Sequence, residues 1–273
     1  MRVSVVIPTF NGAGTLAEQL ASVARQKRVD EVVISDNGST DRSRTVAERF
    51  AGSLALRVID ASSRRGNAAA RNLGAAAATG DLFLFLDQDD EVAADWVEMM
   101  VGALGSADMV VGANQIVLDW PPCPPYPQPV AAVTDFLPYG LSCNMGIRRE
   151  TFELLRGFDE SYQSATDVDL CWRAQLAGLR FATVPEALVY KRAKRAGRAA
   201  FRQHAEFGWD DVLLYTRFRD AGMPRSRPMR SYLWLLTRLP LMWRLSVRRT
   251  WLRLAGKCWG RLKGSLAVHV RYL

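Results

Sequence analysis

The chain has 273 residues, 49% apolar and 23% charged, with no low-complexity segment; this excludes a disordered or fibrous chain and fits a globular domain with an appendage. Its four cysteines, Cys123, Cys143, Cys171 and Cys258, are scattered without a CxxC pair, which argues against a zinc site or disulfide framework and for a reducing cytoplasm. The net charge of +8 conceals an asymmetry: residues 1–188 carry 16 Lys/Arg against 24 Asp/Glu, residues 189–273 carry 20 against 4, and the basic tail calls for an anionic partner.

The start, Met1 to Pro8, lacks the charged and apolar regions of a secretory leader. Val3–Ile7 is a β-branched run that predicts a strand ending at Pro8. Thr15 is placed to cap a helix carrying Leu16, Leu20 and Val23 at helical spacing. Glu31–Ser35 reads as a second strand, and Ser39 or Thr40 as the cap of a helix running to about Phe50. Leu56–Ile59 is a third strand. The Ala-rich stretch from Asn67 to Ala78 predicts a helix stopped by Gly80. Leu82–Leu86 is wholly apolar, as a parallel strand buried on both faces must be. Asp95–Leu104 reads as a helix and Met109–Gly112 as a strand. The Pro-rich run 119–127 breaks regular structure and predicts an extended loop. Glu150–Leu155 and Leu170–Ala177 look helical, and Val184–Lys191 extended. This alternation predicts an α/β, doubly wound, mostly parallel sheet with ligands beyond the carboxyl ends of its strands.

Four segments carry candidate chemistry. Asp87, Asp89 and Asp90 follow the buried strand directly. Three carboxylates so close repel unless a cation offsets them, and their oxygens suit Mg2+ or Mn2+; the alternative is a solvated acidic turn. Pro8, Thr9 and Asn11 end the first strand and Asp36 ends the second, where an aspartate can accept from a nucleobase imide N–H; ordinary turn chemistry is the alternative. In Arg64-Arg65-Gly66-Asn67 to Arg71, a glycine before a helix with arginines nearby can bind phosphate or simply be a solvated basic end. Asp167 and Asp169 open a helix, either as caps or with one carboxylate in a cleft as a base.

Taken in order, "VVIPTFNG", "SDNGSTD", "GNAAARNLGAAAATGDLFLFLDQDD", "CNMGIRRETFELLRGFDESY" and "TDVDLCWRAQLAG" resemble the family 2 glycosyltransferases of bacterial surface polysaccharides, over roughly residues 1–192. The resemblance implies the GT-A fold, with residues 1–115 as the nucleotide-sugar half, 116–192 as the acceptor and catalytic half, and 193–273 as a basic helical tail. It implies a nucleoside-diphosphate sugar donor of UDP or dTDP type, held by Pro8, Thr9, Asn11, Asp36, Asn67, Arg71, Asp87, Gln88, Asp89 and Asn144. It implies Mn2+ or Mg2+ on Asp89, Asp87 and Asp90. Asp167 becomes the general base of an inverting displacement, with Trp172, Arg173 and Arg149 toward the acceptor. Two departures stand out: Thr166 precedes the base where the family commonly has Glu, and Lys191 and Arg192 follow Val189-Tyr190 where a His or Arg is frequent. His204 and His269, the two histidines, are read as non-catalytic.

The tail from Arg225 to Leu273 holds 12 Lys/Arg and no acid. Leu241, Leu245, Leu252, Ala255, Trp259, Leu262 and Leu266 fall on one helical face, and Arg249, Arg253, Lys257 and Arg261 on another. Tyr232–Val247 is too short and too charged to span a bilayer. An interfacial helix on an anionic membrane, at the cytoplasmic face of the cell membrane, fits this pattern; a helical pair packed on the protein is the alternative. No nucleic-acid motif accompanies the charge. The sequence thus predicts an inverting transferase acting on a glycan or lipid-linked acceptor for cell-surface polysaccharide. The alternatives are a polyprenyl-phosphate glycosyltransferase and an inactive scaffold at the membrane.

Overall fold

The computed structural model describes residues 1–117, 135–192, 198–226, 229–241 and 243–272. The predicted Pro-rich loop and Cys123 lie outside the described residues. The chain forms two compact units, Met1–Glu160 with Thr166–Ala193, and Ser161–Ala165 with Lys194–Leu273.

The first unit is built on β1 (Val3–Thr9), β2 (Glu31–Asp36), β3 (Leu56–Asp60), β4 (Leu82–Leu86), β5 (Asp90–Val92), β6 (Met109–Val117), β7 (Asn144–Arg148) and β8 (Phe181–Arg192). They make one sheet in the order β3-β2-β1-β4-β7-β6-β8-β5. Around it lie α1 (Leu16–Ala24), α2 (Ser43–Glu48), α3 (Asn67–Ala77), α4 (Trp96–Leu104), α5 (Arg149–Leu154) and α6 (Thr166–Leu176). Every residue of β1 and β4 is buried, so these unbroken apolar runs take the central positions and bury both faces. The more exposed β3 takes one edge.

Parallel pairing holds from β3 through β2 and β1 to β4, and returns between β6 and β8. β7 runs antiparallel to both β4 and β6, and β5 runs antiparallel to β8. The sheet is therefore mixed, and mostly parallel only in its first half. The sequence predicts neither β5 nor β7, because short strands defined by distant partners leave no local pattern. Their registers bring together residues far apart in the chain: Leu86 pairs with Asn144, and Asp90 with Lys191.

A smaller difference concerns α2, which starts at Ser43 rather than after Ser39 or Thr40. Those two residues tie down Asn11 instead. The Ser39 hydroxyl accepts from the Asn11 N–H at 3.0 Å, and the Thr40 N–H donates to Asn11 Oδ1 at 2.8 Å. Asn11 adopts φ 49°, a left-handed conformation asparagine tolerates better than most residues.

The second unit contains α7 (Arg198–Phe218), α8 (Met229–Arg238) and α9 (Leu245–Ala267). α9 turns Gly256, Gly260 and Gly264 toward α7, four residues apart on one face. A Cβ on Gly260 would run into the Ala205 carbonyl oxygen, and one on Gly256 into that of Phe201. Only glycine lets the two backbones come this close. Trp259, Leu262 and Leu266 of the predicted apolar face are exposed. Part of the predicted basic stripe is also spoken for: Lys257 and Arg261 reach Asp211 of α7 at 3.1 and 2.7 Å. Asp210, fully buried, accepts from the N–H groups of Ser164 and Ala165 at 2.6 and 2.9 Å. Among the described residues no helix is long and apolar enough to cross a membrane.

Candidate active site

The carboxyl ends of β1 and β2 lie side by side, with Thr9 opposite Asp36 in the register. Beyond them opens a cavity of about 300 Å3, lined by Pro8, Thr9, Phe10, Asn37, Arg65, Gly66, Asn67 and Ala70. Gly66 stands at φ 116°, a conformation closed to most side chains, and leads into the first turn of α3 at Asn67. Asn37 holds this corner. It donates to the Ala61 and Arg64 carbonyls, each at 2.7 Å, and accepts from the Gly66 N–H at 2.9 Å. The Thr9 hydroxyl is buried and, among the described residues, has no hydrogen-bond partner. A buried, unmet hydroxyl beside a cavity costs free energy unless a ligand meets it. The α3 N–H groups add partial positive charge at the same wall. Of the predicted donor-binding residues, Pro8, Thr9 and Asn67 line this cavity. Asp36 is half-buried at its β2 side and accepts from the Ser39 N–H at 3.0 Å.

The acids sit beyond β4. Asp87 is held by the buried Arg71 of α3, whose guanidinium meets Asp87 Oδ1 at 2.5 Å. Asp90, opposite Lys191 in the β5–β8 register, receives that ammonium at 2.6 Å, and Lys191 also lies 3.5 Å from Asp87 Oδ2 and 3.0 Å from Cys143 Sγ. Burial raises the Asp90 carboxyl against the pull of the Lys191 charge, and repulsion from Asp87 adds to the rise, for a net value of about 7. Burial works against the Lys191 charge too, but the facing Asp87 and Asp90 carboxylates outweigh it and hold the ammonium above the usual lysine value. Burial keeps the Cys143 thiol protonated. Asp87, Asp90 and Cys143 present ligand atoms within 4.8 Å of one another. Two carboxylates at that spacing fit a hard divalent ion, whereas a protonated thiol adds little. Asp89 is half-buried in the turn between β4 and β5 and stands outside this close group. Cys143 and the position of Lys191 inside the cluster had no signal in the sequence, since Cys143, just before β7, and Lys191, on β8, both lie more than 50 residues downstream of the acids.

Asp167 lies in the first turn of α6 and is buried. Burial raises its pKa, while the N–H groups of Ser142 and Val168, at 3.3 and 2.9 Å, and the charge of Arg71 oppose the rise. A carboxylate so placed is more basic than one in water and is fixed in orientation. Thr166, buried beside it, contributes no charge.

Other expected ligands are occupied by the fold. The Gln88 amide clamps the Phe10 backbone, accepting from its N–H at 2.8 Å and donating to its carbonyl at 3.0 Å. The Asn144 amide accepts from the Trp96 indole at 2.7 Å and gives both its protons to the Ala113 and Ala187 carbonyls at 2.7 and 2.8 Å. Arg149 donates to the carbonyls of Gly80 and Ala78 at 2.8 and 2.7 Å and stacks on Phe83. Those groups mark the start of β4, the opposite end from Asp87, so Arg149 is not among the groups near the acids. Trp172 is buried, donates to the Leu137 carbonyl at 2.9 Å and meets Phe136 edge-on. Arg173 pairs with the buried Asp169 at 2.7 Å and also holds the Leu155 and Gly157 carbonyls.

Residues 4–119 match the family described as glycosyl transferase family 2. The pre-mycofactocin glycosyltransferase of Mycobacterium tuberculosis is 29% identical over 243 residues, covering 81% of this chain and 49% of the relative. The chain thus spans about half the length of that relative. AmsB, the amylovoran biosynthesis glycosyltransferase of Erwinia amylovora, is 28% identical over 263 residues, covering 89% of this chain and 84% of AmsB. Among solved structures, the mannosyltransferase PcManGT of Pyrobaculum calidifontis, in complex with GDP-Man and Mn2+, superposes with a TM-score of 0.68 at 22% identity, over 96% of this chain and 86% of its own. S. aureus TarS 1-349 with UDP-GlcNAc gives 0.63 at 22% identity, over 78% and 66%. With its strand-end cavity and its acid cluster after β4, the chain matches glycosyl transferase family 2 over residues 4–119 and has the GT-A fold of these solved structures.

Proposed function

We propose that the chain transfers a sugar, with inversion, from a nucleoside diphosphate to an acceptor hydroxyl at a membrane surface. The observation that carries this reading is the strand-end cavity, with its unmet Thr9 hydroxyl, on the same sheet as the acid cluster. The nucleoside enters the cavity between β1 and α3, where Thr9 and Asn67 offer hydrogen bonds and Asp36 accepts from the base. Arg65, at the cavity wall, faces the phosphates.

Asp87 and Asp90, with Asp89 beside them, would hold a divalent ion, whose charge would stabilise the departing diphosphate. Arg71 fixes Asp87 for this role through its buried guanidinium. Asp167 takes the proton of the acceptor hydroxyl. The new bond forms between that oxygen and the anomeric carbon as the bond from carbon to the diphosphate oxygen breaks. Attack opposite the leaving group inverts the configuration, and one base is sufficient.

For the acceptor, the relationship to a protein named for amylovoran biosynthesis favours a growing cell-surface glycan, free or lipid-linked. The tail supports a membrane location. Leu236, Leu239, Trp243 and Leu245 are exposed together with Arg244, Arg248 and Arg249. An aromatic and aliphatic surface edged by arginines suits the headgroup region of an anionic bilayer, on the cytoplasmic side where the donor is made.

The test is a panel of UDP-, dTDP- and GDP-sugars with Mn2+ or Mg2+, with and without lipid-linked acceptor, read as release of nucleoside diphosphate. Release that needs the acceptor and the metal supports the reading. A protein that neither binds nor turns over any of these donors is not the transferase described.

A further inference from the structure

The cation already inside the acid cluster is a lysine. Lys191 does not reach it by a chance side-chain excursion: the antiparallel pairing of β5 with β8 sets Lys191 directly opposite Asp90. Its ammonium lies 2.6 Å from Asp90 and 3.5 Å from Asp87, while Arg71 takes the other oxygen of Asp87. Among the described residues, these two cations offset two of the three negative charges of Asp87, Asp89 and Asp90. The cluster that the metal reading requires is thus nearly neutral before any ion arrives. A charged lysine cannot ligate a metal, and at these distances it repels one.

We infer that Lys191 is a resident counter-ion that makes divalent-metal binding depend on the nucleotide. Without donor, the ammonium holds the carboxylates and a divalent ion gains little by entering. A bound diphosphate brings about two further negative charges. The ion then has unpaired oxygens to bind, and the ammonium turns from the carboxylates toward the phosphates. Metal and donor therefore enter as a coupled pair, each raising the affinity for the other by the same factor. The inference rests on the proposed metal site and adds to it the order in which that site fills.

The experiment is a Mn2+ titration of the full chain, read by electron paramagnetic resonance of the free ion, alone and with UDP or GDP. Wild type should bind Mn2+ weakly alone and at least about tenfold more tightly with one of the nucleotides. Lys191→Met should bind Mn2+ alone at least about tenfold more tightly than wild type, with the nucleotide effect correspondingly reduced. Lys191→Arg keeps the charge and should behave as wild type. Thermal unfolding of each variant checks that it is folded. If Lys191→Met binds Mn2+ no more tightly than wild type, or Lys191→Arg tightens it equally, the counter-ion role is wrong while the metal site stands. If wild type takes up no Mn2+ with either nucleotide, and Asp89→Asn and Asp90→Asn change nothing, the acids are not a metal site and both readings fall.

Discussion

At the carboxyl ends of β1 and β2, hydrogen-bonding capacity is left over. The buried Thr9 hydroxyl has no partner among the described residues, and Asn67 lines the same cavity. In β7, on the other half of the sheet, the Asn144 amide has given both its protons and accepted one. Both asparagines are polar residues in family-like segments, Asn67 opening α3 and Asn144 opening β7. What separates them is spare hydrogen-bonding capacity. Where the fold uses all of it, the residue builds the site's frame; where some remains, the residue can meet a ligand.

Asp167 gives the most severe test of this division, because its carboxylate accepts two backbone bonds and still has oxygen lone pairs to spare. Asp167→Asn keeps the size and the accepting oxygen but cannot take a proton. Transfer should fall by about a thousandfold while donor affinity stays within about twofold, measured by turnover and by calorimetry. Near-wild-type transfer would move Asp167 into the frame. The pH profile sharpens the same point. Burial raises the folded pKa, and the base works deprotonated, so transfer should be lost as pH falls through that raised value. The acid limb of kcat/KM therefore lies above the ordinary aspartate range, and in Asp167→Asn the residual rate loses that limb.

Asn144→Ala should do the opposite. It strands the Trp96 indole N–H and two backbone carbonyls in a fully buried place. The expected loss is about 3 kcal/mol of unfolding free energy, with the KM for donor unchanged in the protein that remains folded. A selective rise in KM without loss of stability would put Asn144 on the ligand side. Arg149→Met is the milder form of this test. It removes two bonds to the Ala78 and Gly80 carbonyls and the stacking on Phe83, for about 1–2 kcal/mol of stability and no change in turnover.

These contrasts explain how far the sequence can be read. β1, β4 and α3 are legible because their signals are local: an apolar run for each strand and an alanine-rich stretch for the helix. The acids after β4 are legible for the same reason. β5 is not, since its three residues are a strand only by virtue of β8. Asn144 and Gln88 read as ligands in the sequence because their engagement depends on partners tens of residues away. In α9 the amphipathic pattern does not show which face meets α7. Apolar side chains are usually the buried ones, but here glycines allow backbone contact with α7 and leave Trp259 and Leu266 outside. Local chemistry is readable, and the fold's use of each polar group is not.

The smallest expected effect is the most discriminating, because its two consequences have opposite signs. Thr9→Val replaces a buried hydroxyl that no group among the described residues meets with a methyl of the same shape. Removing a frame residue can only cost stability. Removing an unmet polar group from a buried site should leave the melting temperature unchanged or raise it slightly, because its desolvation penalty goes with it. The same change should weaken donor binding about fivefold, the loss of one neutral hydrogen bond of about 1 kcal/mol. Calorimetry with the preferred nucleoside diphosphate and a thermal melt of the free protein read the two quantities separately. A lower melting temperature with unchanged affinity would mean that the hydroxyl serves the fold, and that the open side of the sheet is as fully used as the closed one.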